Sequence, residues 1–476
     1  MGNKHIAIDL GAESGRIIVG DVSCVEVVHR FSNLPVRVGN TLYWDVLSIF
    51  SEIKTGLKLA FSAGGGEIRS IGLDTWGVDF ALCDAGGELL SNPYHYRDSR
   101  TDGVPEEVFS VVPRAEVYGQ TGIQIMQINS LYQLLAFKRE HPELYAAADH
   151  LLFTPDLFHY WLTGVINNEY SIASTSQMFN VTTRRWATDL LSRLGLDGRM
   201  LGEIVMPGTV LGPLLPALAE EVGAPDDVKV VAVGSHDTAS AVAAIPAGGE
   251  SNYAYISSGT WSLLGVESPE PVITEKSLTY NFTNEGATDG GIRFLKNIMG
   301  LWIVQECKRE WDRQGHSYSY AELAQMAQED GPAAFSIEVN DPRFLKPGSP
   351  HDTMPDRVTA WCSETGQTPP NGPAQVVRGI LESLAAEYRR TLERIEDTTG
   401  SSISELYIIG GGSRNELLCQ LAADATRIPV YAGPTEATAI GNLMTQQIAL
   451  GEIESFARGR ELVRAAHDIK KYLPRG

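Results

Sequence analysis

The chain has 476 residues, more than a single hydrophobic core usually supports, and we therefore expect two domains. Hydrophobic residues make up 43% and charged residues 20% of the chain, which is typical of soluble globular proteins, and no apolar run approaches the length needed to cross a bilayer. The formal net charge of -21 argues against a nucleic-acid partner, because binding a phosphate backbone requires a basic surface. This charge does not exclude a small anionic ligand, which a few backbone amides and one cation can hold.

The N-terminus, from Met1 to His5, leads directly into a strand pattern without the apolar region of a signal peptide. We therefore expect a cytoplasmic protein without a membrane partner. The five cysteines are scattered along the chain, and none forms a CxxC pair. Because their number is odd and their spacing irregular, neither a disulfide framework nor a zinc site is indicated.

Residues 5–22 predict an antiparallel hairpin with a turn of small residues at 11–15. Glycine and serine in such a turn let backbone N–H groups converge on a phosphate, and Arg16 could add positive charge. Asp9, at the end of the first strand, could hold a hydrated Mg²⁺ ion. The alternative is an ordinary glycine-rich hairpin turn without a ligand.

Residues 68–83 predict a second pair of strands, interrupted by a polar group and a glycine at 74–77. Such an interruption is often found where a backbone approaches a ligand closely. The polar and aromatic loop at 94–100 follows, and its Arg97 and Arg100 either bind a ligand or pair with Asp98. Residues 170–180 are small and polar, and we expect a packing loop there.

Residues 228–245 predict a buried strand, a short turn and an alanine-rich helix, with Asp237 at the point where the helix begins. Ligands of α/β proteins bind at the carboxyl ends of parallel strands, and the positive end of a helix dipole favours an ionised carboxylate. Asp237 is therefore a candidate general base. The alternative is that Asp237 or Ser235 only caps the helix.

The composition at 245–249 is typical of a hinge, and residues 253–267 then repeat the layout of the first hairpin, with a Ser/Gly/Thr turn at 257–260. Two such hairpins, one opening each half of the chain, suggest an internal duplication with a cleft between the copies. Asn297 is expected to begin an apolar helical face, from which Asn297 and Gln305 could project polar groups.

The C-terminal region predicts a long helix that ends at Gly400, followed by a strand and three glycines at 410–412. Ser413 and Glu416 have the spacing of a capping box, which predicts the start of the next helix. Three glycines between a strand and a helix form a floor on which a flat ring or a phosphate can lie without meeting side chains.

Seven stretches of the sequence together resemble the FGGY carbohydrate kinases of the actin/hexokinase/Hsp70 superfamily. They occur in the order of that family and span essentially the whole chain: IAIDLGAESGR, IGLDTWGVDF, YRDSR, SHDTASAV, SSGTWSLLG, LKNIMGLW and IIGGGSRNELLCQLAADA. The resemblance implies an α/β fold of two ribonuclease-H-like, or actin-like ATPase, domains with a central cleft. Residues 1–246 would bind the sugar and carry the first phosphate hairpin and the base, and residues 247–476 would bind the nucleotide.

The resemblance implies ATP-dependent phosphorylation of a ketose, with ATP and Mg²⁺ as cofactors and a small sugar as the partner. TWGVDF, SHDTASAV and KNIMGLW are most similar to the members that act on the C1 hydroxyl of L-rhamnulose. L-fuculose or another ketose or polyol is the alternative substrate. A nucleotide-dependent switch of the actin type is an alternative from another class of protein, but such a protein has no need for a base beside a sugar-binding histidine.

The resemblance also implies roles for individual residues. Asp237 would be the catalytic base, and Asp9 would lie near the magnesium of Mg-ATP. The implied nucleotide contacts are Ala12, Glu13, Ser14, Gly15, Arg16, Thr260, Gln305 and Gly411, and the implied sugar contacts are Gly77, His236, Thr238 and Asn297. Glu13 departs from the family pattern, because many relatives have a small or hydroxylated residue there, and no catalytic role is assigned to it.

Overall fold

The chain folds into two α/β units in the computed structural model, which describes residues 3–64, 68–248 and 252–475. The first unit comprises Met1–Pro246, Glu267–Phe294 and Ala437–His467, and the second comprises Ala247–Val266, Leu295–Glu436 and Asp468–Gly476. The hinge predicted at 245–249 extends to Gly249, which lies outside the described residues.

The strands are β1 (Lys4–Leu10), β2 (Ser14–Asp21), β3 (Cys24–Ser32), β4 (Val36–Val38), β5 (Thr41–Tyr43), β6 (Ile68–Thr75), β7 (Phe80–Cys83), β8 (His150–Phe153), β9 (Asn168–Glu169), β10 (Phe179–Asn180), β11 (Arg185–Trp186), β12 (Ile204–Val205), β13 (Thr209–Pro213), β14 (Lys229–Ala232), β15 (Tyr253–Ser258), β16 (Trp261–Ser268), β17 (Thr283–Gly286), β18 (Ile292–Met299), β19 (Glu405–Ile409), β20 (Val430–Ala432) and β21 (Lys470–Tyr472).

The helices are α1 (Val46–Gly64), α2 (Val104–Val111), α3 (Arg114–Thr121), α4 (Ser130–Glu140), α5 (Pro142–Ala147), α6 (Thr154–Thr163), α7 (Tyr170–Ser174), α8 (Thr188–Arg193), α9 (Pro216–Val222), α10 (Asp237–Ala243), α11 (Glu275–Thr279), α12 (Trp302–Arg313), α13 (Tyr320–Asp330), α14 (Met354–Glu364), α15 (Pro373–Thr399), α16 (Glu416–Thr426), α17 (Ala437–Ala449) and α18 (Phe456–Ala466). Among the described residues, none of these helices is long and apolar enough to cross a membrane.

The first unit is built around a six-stranded sheet in the order β13-β14-β6-β1-β2-β3. The predicted hairpin is confirmed, because β1 and β2 are antiparallel, and β1, β6 and β14 run parallel to one another. Both faces of β1 are covered, which explains its continuous apolar run. Ala439 and Leu443 of α17 pack against Ala7 and Ile18 of this sheet, and all four side chains are fully buried.

The strand pair predicted at 68–83 is wrong in its pairing, although both strands exist. β6 lies in the central sheet between β1 and β14, whereas β7 pairs with β8 in a separate two-stranded sheet. The chain leaves the central sheet after Thr75, so the interruption at 74–77 separates two sheets rather than two neighbouring strands.

The second unit repeats the strand arrangement of the first. Its strands follow the order β18-β16-β15-β19-β20-β21, in which β15 and β16 are antiparallel, β15, β19 and β20 are parallel, and β21 is antiparallel to β20. The corresponding order in the first unit is β3-β2-β1-β6-β14-β13, with the same directions for the corresponding five strands. This correspondence supports the internal duplication suggested by the two hairpins.

Two local predictions in the second unit are wrong. Asn297 does not begin a helix but lies within strand β18, and the helix that follows starts at Trp302. Ser413 does not cap α16, because residues 411–414 form a 3₁₀ turn and the N-cap is Asn415, whose side chain accepts a hydrogen bond from the N–H of Leu418. The end of the long helix is confirmed, since Gly400 adopts the left-handed conformation (φ 72°) that often terminates helices.

Candidate functional site

Asp237 is the first residue of α10 and follows directly on the turn that leaves β14. His236 is the N-cap of the helix, but its side chain makes no capping hydrogen bond. Oδ1 of Asp237 accepts hydrogen bonds from the backbone N–H (2.6 Å) and the hydroxyl (3.2 Å) of Thr238. The N-cap is therefore neither Asp237 nor Ser235, although the partly exposed carboxylate of Asp237 satisfies one of the free N–H groups of the helix.

The Asp237 carboxylate is the solvent-accessible group of this turn. Its side chain is 30% exposed, whereas Thr238 is only 3% exposed. In the part of the chain that the structure describes, the hydrogen bonds of this carboxylate all end on Oδ1. Thr238 thus fixes the orientation of the carboxylate while Oδ2 stays available to accept a proton.

The end of β6 brings Gly77 next to this turn. The N–H of Thr75 donates a hydrogen bond of 2.8 Å to the carbonyl oxygen of Ser235. A Cβ atom added to Gly77 would lie 3.2 Å from Nε2 of His236, and Nε2 itself lies 3.4 Å from Oδ1 of Asp237. The first unit therefore brings together three of the predicted site residues, Gly77, His236 and Asp237, within a few ångströms.

A second carboxylate lies beside Asp9 in the first unit. Asp9 of β1 pairs directly with Asp74 of β6 in the strand register, and Arg16 forms an ion pair with Asp9. Asp74 is fully buried; Asn442 donates a hydrogen bond of 2.6 Å to its Oδ2, while Oδ1 lacks a hydrogen-bond partner among the described residues. Burial raises the pKa of Asp74 well above its ordinary value, and the nearby charges of Asp9 and Asp237 raise it further.

These carboxylates fit a magnesium ion that is held largely by a nucleotide. No group of three or more His, Cys, Asp or Glu side chains forms a metal cage in the described ranges. Mg²⁺ is, however, usually bound by only one or two carboxylates together with water and substrate phosphates. Asp9 with the unpaired Oδ1 of the buried Asp74 provides oxygen ligands of this kind.

Asn33 supports the turn at 11–15, which is expected to bind a phosphate. The side chain of Asn33 donates to the carbonyl oxygen of Gly11 (2.8 Å), and its backbone N–H donates to the carbonyl oxygen of Glu13 (2.9 Å). The turn itself is closed by a hydrogen bond of 3.0 Å from the N–H of Gly11 to the carbonyl oxygen of Ser14. Ala12 lies in the same turn, and at Gly15 a Cβ atom would lie 2.2 Å from the ring of Phe31.

The second unit holds Thr260, Asn297, Gln305 and Gly411. The carbonyl oxygen of Thr260 accepts hydrogen bonds from the N–H groups of Gly300 (3.2 Å) and Trp302 (3.1 Å), which ties this turn to the start of α12. Gln305 lies one turn further along that helix, and its buried Oε1 has no hydrogen-bond partner among residues 3–64, 68–248 and 252–475. Asn297 precedes α12, on strand β18.

The three glycines at 410–412 pack on strand β15, which leads into the turn at 257–260. A Cβ atom added to Gly412 would lie 2.0 Å from the hydroxyl of Ser258, so only glycine permits this close approach. Gly411 is exposed, and a Cβ atom there would meet nothing within 4 Å. The open space above Gly411 and the unpaired Oε1 of Gln305 are both compatible with a bound nucleotide.

The YRDSR loop is packed into the first unit. Arg100 donates to the backbone and side-chain oxygens of Gln133 (2.9 and 2.7 Å), and its guanidinium lies 4.0 Å from the centre of the Tyr94 ring. Asp98 accepts hydrogen bonds from the N–H groups of Leu42 and Arg100. Arg97 is 3% exposed. The structural alternative therefore accounts for Asp98 and Arg100.

Sequence reasoning missed several side chains that support the turn before Asp237. The carboxylate of Glu169 accepts hydrogen bonds from the N–H of Ser235 (3.2 Å) and the hydroxyl of Ser171 (2.6 Å), and Ser171 Oγ accepts from the N–H of His236 (3.1 Å). Ser171 lies in the stretch predicted at 170–180 as a packing loop, but Tyr170–Ser174 form helix α7 there, and its Ser171 helps to hold this turn in place. Burial raises the pKa of Glu169 to about 8.

The sequence does contain a signal for the position of Asp74. The stretches IAIDL and IGLDT place Asp9 and Asp74 at the same point of two similar apolar runs, which predicts neighbouring carboxylates in a parallel pair of strands. Arg293, whose guanidinium lies 3.1 Å from Nδ1 of His236, has no such signal, since a single arginine in a strand is usually exposed.

Comparison with known proteins agrees with this fold. The profile for the FGGY family of carbohydrate kinases, N-terminal domain, matches residues 5–244, and the profile for the C-terminal domain matches residues 254–450. A rhamnulokinase from Halalkalibacterium halodurans is 45% identical over 474 residues, covering 99% of each chain. A rhamnulokinase from Bacteroides thetaiotaomicron is 45% identical over 478 residues, covering 100% of this chain and 96% of the relative.

Solved structures show the same fold. A ligand-bound xylulose kinase from Lactobacillus acidophilus superposes with a TM-score of 0.81 at 16% identity, covering 99% of this chain and 94% of the other. The two units therefore have the actin-like ATPase fold of sugar kinases. The whole-chain identity to the relatives shows in addition that this protein is an ATP-dependent sugar kinase. The chain belongs to the FGGY family of carbohydrate kinases.

Proposed function

We propose that this kinase transfers the γ-phosphoryl group of ATP to the C1 hydroxyl of L-rhamnulose, with Asp237 as the general base. The observation that carries the choice of sugar is the 45% identity to rhamnulokinases over the whole length of the chain. The observation that carries the choice of base is the partly exposed Asp237 carboxylate, held by Thr238 at the start of α10.

Asp237 would accept the proton of the sugar hydroxyl as its oxygen attacks the γ-phosphorus. Phosphoryl transfer depends mainly on positioning and on stabilisation of charge, so a correctly aimed aspartate of ordinary basicity suffices. Thr238 occupies Oδ1 of Asp237, and Oδ2 is therefore the atom proposed to take the proton. The turn that carries Asp237 is fixed by Glu169 and Ser171, which limits the motion of the base.

Asp9 and Asp74 are proposed to hold Mg²⁺ together with the phosphates of ATP. The metal, when bound, supplies positive charge that neutralises the phosphate oxygens during transfer. The turn formed by Ala12, Glu13, Ser14, Gly15 and Arg16 and the turn at Thr260 are proposed to bind the phosphates through backbone N–H groups. Gly411 and Gln305 are proposed to contact the nucleotide, which the open space above Gly411 supports.

The sugar is proposed to bind beside Asp237, in contact with Gly77 and His236 and with Thr238 and Asn297. The short distances among Gly77, His236 and Asp237 support the first part of this set. Residues 1–246 would thus carry the first phosphate turn and the sugar contacts other than Asn297, and residues 247–476 would carry Asn297 and the other nucleotide contacts. A cytoplasmic location is also part of this proposal.

The rate of phosphorylation over a panel of sugars tests this proposal. We expect kcat/KM for L-rhamnulose to exceed that for L-fuculose, L-xylulose and glycerol by roughly tenfold or more, because one misplaced hydroxyl leaves polar groups of the site unpaired. A clear preference for another ketose or for a polyol would contradict the substrate assignment while leaving the kinase activity in place. ATP hydrolysis unaffected by any sugar would favour the nucleotide switch instead.

A further inference from the structure

A buried arginine contacts Nδ1 of His236, whereas the other ring nitrogen, Nε2, lies near Asp237. The side chain of Arg293 is 0% exposed, and its guanidinium makes three contacts in the first unit. Nε donates a hydrogen bond of 3.0 Å to the carbonyl oxygen of Gly286. NH2 lies 3.1 Å from Oε2 of Glu285 and also 3.1 Å from Nδ1 of His236.

The contact between Arg293 and His236 has a defined polarity. A guanidinium carries only donors and remains protonated in proteins, so it cannot accept a hydrogen bond from an imidazole N–H. Nδ1 of His236 must therefore be the acceptor in the hydrogen bond from Arg293. In a neutral imidazole with an unprotonated Nδ1, the proton is on Nε2.

Glu285 would favour the other tautomer, in which Nδ1 of His236 carries the proton. The contact distances decide between the two tautomers. Oε2 of Glu285 lies 3.4 Å from Nδ1 of His236 and could accept a hydrogen bond from Nδ1 if that nitrogen carried the proton. That arrangement would place an N–H of the imidazole against an N–H of Arg293 at 3.1 Å. The Arg293 contact is the shorter one, and Glu285 already neutralises the guanidinium at 3.1 Å. The unprotonated Nδ1 is therefore the consistent choice.

Nε2 of His236 faces the proposed reaction centre. It lies 3.4 Å from Oδ1 of Asp237, and a Cβ atom at Gly77 would approach it to 3.2 Å. A proton on Nε2 presents a hydrogen-bond donor at this position, beside the carboxylate that is to accept the proton of the sugar hydroxyl. A ketose carries an oxygen on C2, next to the reacting C1 hydroxyl, and that oxygen can accept such a hydrogen bond.

We infer that Arg293 is a positioning residue for the sugar site, which fixes His236 as the Nε2–H tautomer so that a donor rather than a second acceptor lies beside Asp237. The functional part of this inference rests on the proposed function. Arg293 itself does not touch the substrate. It acts only through His236. The two side chains then have different roles: Asp237 accepts a proton, and His236 donates a hydrogen bond to a neighbouring sugar oxygen.

The tautomer can be measured directly in the protein without substrate. Two-bond ¹H–¹⁵N spectra of the enzyme labelled with ¹⁵N-histidine, recorded at about pH 8 where an ordinary imidazole is neutral, distinguish the two nitrogens of each ring. The signals of His236 are assigned by their loss in His236→Asn. We expect an unprotonated Nδ1 and a protonated Nε2 in the wild-type protein. A protonated Nδ1 would overturn the inference.

Substitution of Arg293 tests whether this residue determines the tautomer of His236. In Arg293→Met we expect the proton to move to Nδ1, where Glu285 can accept it, and the KM for the sugar to rise by roughly tenfold or more with the KM for ATP within about twofold. Glu285→Gln keeps Arg293 and should retain the wild-type tautomer. An Arg293→Met protein with the wild-type tautomer and an unchanged KM for the sugar would overturn the inference.

A second variant addresses the risk that Arg293→Met leaves Glu285 as an uncompensated buried charge and does not fold. Arg293→Met combined with Glu285→Leu removes both charges and should show a mixture of tautomers. If neither variant folds, the wild-type spectrum alone decides. The spectrum does not depend on which sugar is the substrate, so failure of the substrate assignment and failure of this inference are distinguishable.

Discussion

Gly441 of α17 touches the backbone of α10 at Ser240, since a Cβ atom at Gly441 would lie 1.7 Å from the carbonyl oxygen of Ser240. No side chain can be added at this point without moving one of the two helices. Because α10 begins at Asp237, the helix contact one turn away also determines the position of the proposed base.

Replacing Gly441 by alanine is therefore expected to lower both stability and activity. We expect the free energy of unfolding to fall by about 1–3 kcal/mol, as for other overpacked sites, and kcat to fall because α10 is displaced. Denaturant unfolding and steady-state kinetics measure the two effects. Gly119→Ala is the matched control, because Gly119 is also helical but a Cβ atom there meets nothing within 4 Å. Equal stability of the two variants would show that the contact is absent.

The raised pKa of Glu169 predicts that the stability of the protein depends on pH. Burial raises the pKa of Glu169 from its ordinary 4.5 to about 8, so the carboxyl group is more easily ionised in the unfolded chain than in the folded one. Its contribution to stability is therefore fully present below pH 4.5 and is lost as the pH rises toward about 8. The loss is at most about 1.4 kcal/mol for each pH unit in this window.

Glu169→Gln removes this ionisation and serves as the reference. We expect the free energy of unfolding of the wild type, relative to that of Glu169→Gln, to fall between pH 4.5 and about 8 and then to level off. Chemical denaturation at a series of pH values gives this difference. A difference that rises with pH would mean that the N–H groups of Ser171 and Ile172 stabilise the carboxylate more than burial disfavours it.

Much of the fold follows from the sequence because the signals for its elements are local. Alternating or continuous apolar runs identified both hairpins and the strand, turn and helix that carry Asp237. Asn297 was misassigned because Ile298, Leu301 and Trp302 have helical spacing although Ile298 belongs to a strand. Ser413 fits a capping box, but the chain forms a 3₁₀ turn there and Asn415 caps the helix.

The supporting shell of the site could not be predicted, because its contacts join residues far apart in the chain. Glu169 reaches Ser235 across 66 positions, and Asn442 reaches Asp74 across 368. No periodicity or motif encodes such a pairing. Only the folded chain shows that these side chains meet.

The backbone conformation of Val78 predicts that glycine at this position gives a more stable protein than alanine. Its backbone has a φ of 68°, a left-handed conformation that is unfavourable for a β-branched residue, and it follows directly on Gly77. The hydroxyl of Thr175 accepts a hydrogen bond from the N–H of Val78, and that of Ser130 donates one to its carbonyl oxygen. We expect Val78→Gly to be more stable than Val78→Ala by about 1 kcal/mol, because only glycine adopts this conformation without cost.

Val27 provides the comparison for this pair of variants. It lies on the exposed edge strand β3 and does not have a positive φ. There the order should reverse, with alanine more stable than glycine, because glycine loses more conformational freedom on folding. Thermal unfolding of the four variants measures both orders. The same order at both positions would contradict the left-handed conformation of Val78.

The position of Asp74 beside Asp9 predicts how the rate of the enzyme depends on the Mg²⁺ concentration. Asp74→Asn preserves the size of the side chain and an acceptor for Asn442 but removes the ionisable oxygen beside Asp9. If the two carboxylates hold Mg²⁺, the Mg²⁺ concentration for half-maximal rate should rise by roughly tenfold or more. Initial rates at saturating sugar and nucleotide, with Mg²⁺ varied, give this value. Glu26→Gln on the edge strand is the control, and equal Mg²⁺ dependence of the two variants would exclude Asp74 as a ligand.

The central claim is that Asp237 accepts the proton of the sugar hydroxyl, and Asp237→Asn tests it most directly, because the amide retains an oxygen for Thr238 but is not a base. Single-turnover phosphorylation of the preferred ketose should slow by about 10²-fold or more, with ATP affinity within a few fold of wild type. Asp189→Asn, the same change at the exposed first turn of α8, should have the wild-type rate. A near wild-type rate in Asp237→Asn would show that another group is the base.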